Sequence, residues 1–241
     1  MINSVKPNLI VSDSRGAWFR ATILFILALI GTVGMWSVVV FIPDIEKEFG
    51  LDRGTSSLLY AFTMIGFGFG TVVIGKVYDK FGIKKPILLA TFVLITSYYF
   101  YSIFPFYWQF LILQFFMGFA ASAFFGPAMA DISNFFNKQR GFALSIVASA
   151  NYVAGATWPL LIGYFLTFID WRAAHFWISI CLFIMIPLIL LLKNASVDES
   201  KSHDMKQRYK DIRLDLSNNQ IQVLLMLAGI CCCVAMAMPQ V

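Results

Sequence analysis

Charge is bunched along this chain, and long stretches with none separate the bunches. There are 23 uncharged residues between Arg20 and Asp44, 22 between Arg53 and Lys76, 29 between Arg140 and Asp170, and 20 between Arg172 and Lys193. About 20 apolar residues, each rising about 1.5 Å along a helix, cross a hydrocarbon core of about 30 Å, so each run predicts one membrane-spanning helix. The run from Pro86 to Ala130 holds 45 residues, enough for two. It divides at Pro105-Phe106-Tyr107-Trp108-Gln109, where a proline and amphipathic rings mark a turn at headgroup level. A further apolar run begins near Ile221 and continues to Val241. The pattern predicts an all-α, polytopic membrane protein. Its parts are a segment 1–20, a six-helix bundle over 21–192, a linker over 193–220 and the start of a second bundle over 221–241.

Composition supports the same class. Of 241 residues, 59% are apolar, 17% aromatic and 13% charged, with a mean hydropathy of +0.77. Soluble domains are nearer half apolar and a quarter charged. The basic residues set an orientation. With the N-terminus inside, 15 of the 18 lie on cytoplasmic segments, among them Arg20, Lys76, Lys80, Lys84, Lys85, Lys138 and Arg140, and only Lys47, Arg53 and Arg172 lie outside. Without the linker the split is still 9 to 3. The expected protein is therefore a multi-pass one with a cytoplasmic N-terminus, in a bacterial inner membrane or a plasma membrane. Topology accounts for the net charge of +5, so the lipid bilayer is the expected partner and nucleic acid is not. The linker, with six basic and five acidic side chains, reads either as a solvated surface loop or as a regulatory, partner-binding segment.

Little here points to catalysis. An ionisable group at the bilayer centre costs roughly 3 kcal/mol and usually marks function. None lies near the middle of a predicted span; the nearest, Asp131, Arg172 and His175, sit at span ends. HExxH, GxSxG and phosphate-loop patterns do not occur. Cys181, Cys231, Cys232 and Cys233 lie within predicted spans, away from metal-ligand partners, and read as small core residues. No catalytic residue, metal or cofactor is expected.

The spans offer instead a scatter of polar and aromatic groups near mid-depth: Thr32 and Trp36 in the first, Tyr60 and Thr63 in the second, Ser122 in the fourth, Asn151 and Tyr152 in the fifth. Together they form a candidate path for a small polar solute. Asn151 is the sharpest, because an amide in hydrocarbon must find partners, either on a neighbouring helix or on a bound ligand. Small residues gather at Gly66, Gly68, Gly70 and Gly75, at Gly118 to Ala123, and from Ala148 to Ala156. Such seams let helix backbones approach closely, whether for static packing or for rocking.

One polar turn carries more than lysines. Gly75-x-x-x-Asp79-Lys80-x-Gly82-x-Lys84-Lys85, in the turn after the second span, resembles the loop signature of the major facilitator superfamily, commonly G-x-x-x-D-R-x-G-R-R. "NFFNKQRGFALS" at 134–145 resembles the start of the fifth helix in that family's monocarboxylate and oxalate/formate branch, and "DWRAAHFW" at 170–177 the start of the sixth. "MPQV" at 238–241 is similar to the seventh helix of monocarboxylate-type members. The resemblance implies a bundle of two inverted three-helix repeats forming the first half of a twelve-helix carrier. It also implies a gating set at the inner face, comprising Gly75, Asp79, Lys80, Gly82, Lys84, Lys85, Asp131 and Arg140, with Asp79 as a releasable charge contact.

The chain departs from the family pattern in three places. Ile83 stands where a cation usually follows Gly82, which puts in doubt a pairing of that cation with Asp131. Gln114 stands where the fourth helix often has an arginine tied to proton coupling, and it joins the candidate path. The fifth-helix glycine pattern survives only as Pro159 and Gly163. The expected function is secondary transport of a small organic anion, monocarboxylate-like, with or without a coupling ion, by alternating access together with a missing C-terminal half. A carrier of another solute such as a sugar or drug-like compound, and a non-transporting membrane subunit, are the alternatives.

Overall fold

The computed structural model describes residues 13–192, together with Ser217, Gln220, Ile221, Val223, Leu224 and Leu227. Among the described residues six apolar helices are long enough to cross a membrane, two from the Pro86–Ala130 run and one from each of the four shorter runs: Arg15–Phe49, Arg53–Phe81, Lys84–Ile103, Tyr107–Ser133, Arg140–Phe165 and Trp171–Leu191. No strand occurs among the described residues. Helix starts use short polar caps. Ser14 Oγ accepts from the Ala17 amide at 3.3 Å, Asp52 Oδ2 from that of Thr55 at 3.2 Å, and Asp170 Oδ2 from that of Arg172 at 3.1 Å. Each satisfies one of the amides a helix leaves open at its start. The turn at Phe104–Phe106 separates the third span from the fourth, at the proline and aromatic cluster that the sequence marks.

Packing follows a paired scheme. The second span lies along the fourth as the fifth lies along the first, and the third packs on the sixth. This is the relation expected of two inverted triplets, spans one to three and four to six. The second and fourth spans cross at the small residues. A β-carbon on Gly66 or Gly70 would overlap the main chain at Phe115 or Phe119, and one on Gly118 would overlap that at Thr63. Gly68 and Gly75 instead face open space.

The chain divides into two compact units, Met1–Ala195 and Ser196–Val241. In the second, the Ser217 amide donates to Gln220 Oε1 at 2.9 Å and the Gln220 amide to Ser217 Oγ at 3.3 Å. This reciprocal cap begins a helix where the seventh span is expected. The rest of that span with Cys231 to Cys233, nearly all of the linker, and residues 1–12 lie outside the described residues.

Candidate functional site

Among the described residues, three spans lose regular α-geometry partway along: the first at Thr32, the fourth over Ser122–Phe125 and the sixth over Leu182–Ile184. The first two breaks are counterparts in the two triplets, and they meet. The ring of Phe124 lies against the bare backbone of Gly31, where any β-carbon would overlap it. At its own break Thr32 turns its hydroxyl back to the Ala28 carbonyl at 2.8 Å, and the Leu29 carbonyl accepts the Trp158 indole from the fifth span at 2.8 Å. A kink with its polar groups met by a neighbouring side chain is tolerated at membrane depth.

One turn further on, Trp36 Nε1 donates to Asn151 Oδ1 at 3.1 Å, and its ring lies across Gly155, where a β-carbon would sit 2.9 Å from it. The amide therefore bridges the first and fifth spans, and Tyr152 beside it is exposed. Other residues of the predicted path lie elsewhere. Thr63 Oγ1 donates to Gln114 Oε1 at 2.9 Å, and Gln114 Nε2 to Tyr101 Oη at 3.4 Å, inside the second, third and fourth spans. Tyr60 is buried near them. Ser122 is buried with its hydroxyl on the Phe119 carbonyl at 2.7 Å. Only Trp36, Asn151 and Tyr152 of the set reach a half-open or exposed face.

Charge lies at the two ends of the bundle. At the end holding residues 75–85, Arg20 of the first span grips Asp131 of the fourth, Nε to Oδ2 at 2.6 Å and Nη2 to Oδ1 at 2.9 Å, both side chains buried. The guanidinium also lies 4.6 Å from the Phe135 ring centroid. Asp131 thus draws its cation from the first span rather than from the 75–85 turn. The reason lies at position 83: Ile83 is buried in the bundle, so the turn inserts an apolar side chain where a cation would otherwise stand.

The remainder of that turn is open. Asp79 is exposed, and no hydrogen bond or ion pair joins it to another described residue. Lys80 and Lys85 lie 5.2 and 4.5 Å from the Phe81 ring centroid. Lys84 begins the third span, and Arg140 begins the fifth. Gly82 has φ +72° and ψ −176°, which only glycine adopts readily.

A second fastening adjoins the buried pair. The Asp13 carboxylate accepts from the amides of Asn137, Lys138 and Gln139 at 3.2 to 3.3 Å, and the Asp13 amide donates to the Phe135 carbonyl at 3.1 Å. Partial desolvation pushes its pKa up. The three amides and the charge of Lys138 outweigh that and hold it below the usual carboxylate range. At the opposite end, Arg172 Nη2 meets Glu48 Oε1 at 2.6 Å and Trp171 Nε1 donates to Glu48 Oε2 at 2.8 Å, tying the sixth span to the first. Among the described residues, no group of His, Cys, Asp and Glu could hold a metal. Sequence reasoning missed the roles of Arg20, Asp13 and Glu48. A lone arginine in "WFRATIL" and a lone aspartate in "AMADIS", on the same predicted membrane face, are the signal for the first.

Residues 24–240 match the family described as Major Facilitator Superfamily. The chain belongs to that superfamily. Its similar relatives include the MFS-type transporter pynF of Aspergillus niger, 28% identical over 151 residues, covering 61% of this chain and 34% of the relative. The agnestins efflux protein AgnL12 of Paecilomyces divaricatus is 26% identical over 156 residues, 62% of this chain and 35% of that protein. The inner membrane transport protein YnfM of Escherichia coli is 23% identical over 172 residues, 70% of this chain and 41% of that protein. This superfamily chain thus spans about a third to two fifths of the length of these curated relatives. Their names place them in bacteria and fungi alike, and none names the monocarboxylate branch.

Proposed function

We propose that this chain contributes the N-terminal half of an alternating-access carrier for a small organic solute. The observation that carries the reading is the meeting of two breaks, at Thr32 and at Ser122–Phe125, in helices that correspond in the two inverted triplets. Interrupted spans in corresponding positions are where carriers of this architecture build a midplane site. Trp36, Asn151 and Tyr152 are then this half's contribution to the solute path. Asp79, without a hydrogen bond or ion pair among the described residues, is the latch that a second half engages on the cytoplasmic side and releases as the halves rock. The lysine-rich end faces the cytoplasm by the excess of positive charge there.

The solute class this reading carries first is a small organic anion such as a monocarboxylate, gripped by cations from the second half. A second reading, a neutral and largely apolar compound, is favoured by the uncharged indole and amide at the half-open face. Uptake by the intact protein in vesicles, tested against labelled monocarboxylates, sugars and neutral aromatic compounds, separates the two. Asn151→Ala sharpens the result. Interhelical hydrogen bonds in membranes average about 0.6 kcal/mol, so the variant is expected to stay folded while its apparent solute affinity falls. Unchanged affinity with loss of folded protein would assign Asn151 to packing, and no uptake of any compound would overturn the carrier.

A further inference from the structure

Toward the end away from residues 75–85, the fifth and sixth spans form an open-sided groove of about 510 Å³. Trp158, Ile162 and Phe165 form one wall, and Ala174, Ile178 and Cys181 the other. None of the lining side chains carries a charge, a hydroxyl or an amide. Of the two indoles in the lining, that of Trp158 is already spent on the Leu29 carbonyl, and Trp177 stands at the rim, 56% exposed. The size is that of a small-ligand pocket, but such pockets orient a polar ligand with a few placed polar groups, and the buried lining residues Ile162, Ala174 and Ile178 offer none. Water fares no better, since a buried water needs two to four polar partners. Apolar cavities of this kind stay dry and take apolar guests, which restore the packing contacts an empty wall forfeits.

The floor and the lip of the groove differ in a way that identifies the guest. Ile162, Ala174 and Ile178 are only 3%, 4% and 8% exposed, whereas Leu161, Phe165 and Trp177 at the lip are 49%, 53% and 56% exposed. The lip continues into Leu160, Tyr164, Ile180 and Ile184, all exposed on the same two spans. Where no protein covers a membrane-spanning helix, apolar surface of this kind meets lipid tails. We infer that the groove seats an acyl chain of a membrane phospholipid, which enters from the bilayer past Trp177 and reaches the floor at Ala174. The contact is made by hydrocarbon alone, so it selects for a tail rather than for a headgroup.

The test uses the intact protein in vesicles of dioleoylphosphatidylcholine doped with a phosphatidylcholine that carries a diazirine midway along one tail. After irradiation, adducts are mapped by peptide mass spectrometry. Adducts on the floor residues Ile162, Ala174 and Ile178, as well as on the lip, are expected. Ala174→Phe, which fills the floor, is expected to abolish the floor adducts and leave those on Trp177. Adducts confined to the lip mean bulk lipid only and overturn the inference. Absence from both floor and lip overturns it too, because the groove is then covered by protein. If Ala174→Phe fails to fold, the pattern on the unaltered protein still decides.

Discussion

Two turns leave the same face of the bundle, one joining the second span to the third and one joining the fourth to the fifth, and they are fastened differently. The segment 131–139 is held from below by the first span: Arg20 grips Asp131, Asp13 gathers three amides, and Trp18 sets its edge against Phe136 with centroids 4.8 Å apart. The turn at 79–83 makes one strong commitment inward, the buried Ile83, and leaves its acid exposed. The first turn belongs to the rigid body of this half. The second has the chemistry of a contact and no described partner for it. On the proposed function, holding falls to the first turn and releasing to the second.

The largest effect should come from unpairing the buried ions. Arg20→Ala leaves Asp131 buried without its cation and is expected to cost about 3–5 kcal/mol, read as a drop in the thermal unfolding midpoint in detergent. Arg20→Met combined with Asp131→Leu should recover most of that, because an apolar pair of similar volume avoids the desolvation penalty. Single variants that unfold with the parent protein would erase the distinction between the turns. Next comes Gly82→Ala, which forces a side chain into a left-handed conformation at about 1–3 kcal/mol. Gly75→Ala, facing open space, should stay within about 0.5 kcal/mol, so equal losses at both would refute the assignment of strain to Gly82 alone.

A smaller effect is expected at Asp13. Its folded pKa lies below the ordinary carboxylate value, so the clamp is fully formed above about pH 4 and is lost as pH falls through the lowered folded value. Amide-exchange protection at 137–139 should fall on that acid limb, and Asp13→Asn should flatten the dependence. The smallest change in stability belongs to Asp79→Asn, within about 0.5 kcal/mol, while solute turnover drops sharply. Measurable destabilisation there would mean that the acid has a partner within this half after all.

The order and turns of the six described spans were legible because the bilayer admits few solutions: a charge-free run of sufficient length has to be a helix. The close crossing of the second and fourth spans was legible at Gly66, Gly70 and Gly118, though not which glycines were needed, since Gly68 and Gly75 touch nothing. Depth could be read for Thr63, Gln114 and Asn151, but facing could not. Helices that are apolar all round carry no stripe to say which side is the core. Thr63 and Gln114 turned to each other and Asn151 to Trp36. Arg20 escaped notice because a lone cation at a cytoplasmic helix end is what the charge bias supplies by default, and its partner stands 111 residues away. The break at Thr32 carries no proline to announce it.

The contact of Phe124 with Gly31 has a mechanical corollary. A flat ring resting on naked main chain lets the two interrupted helices approach as closely there as an aromatic side chain permits. A methyl group added at position 31 would have to displace that ring and wedge the two spans apart.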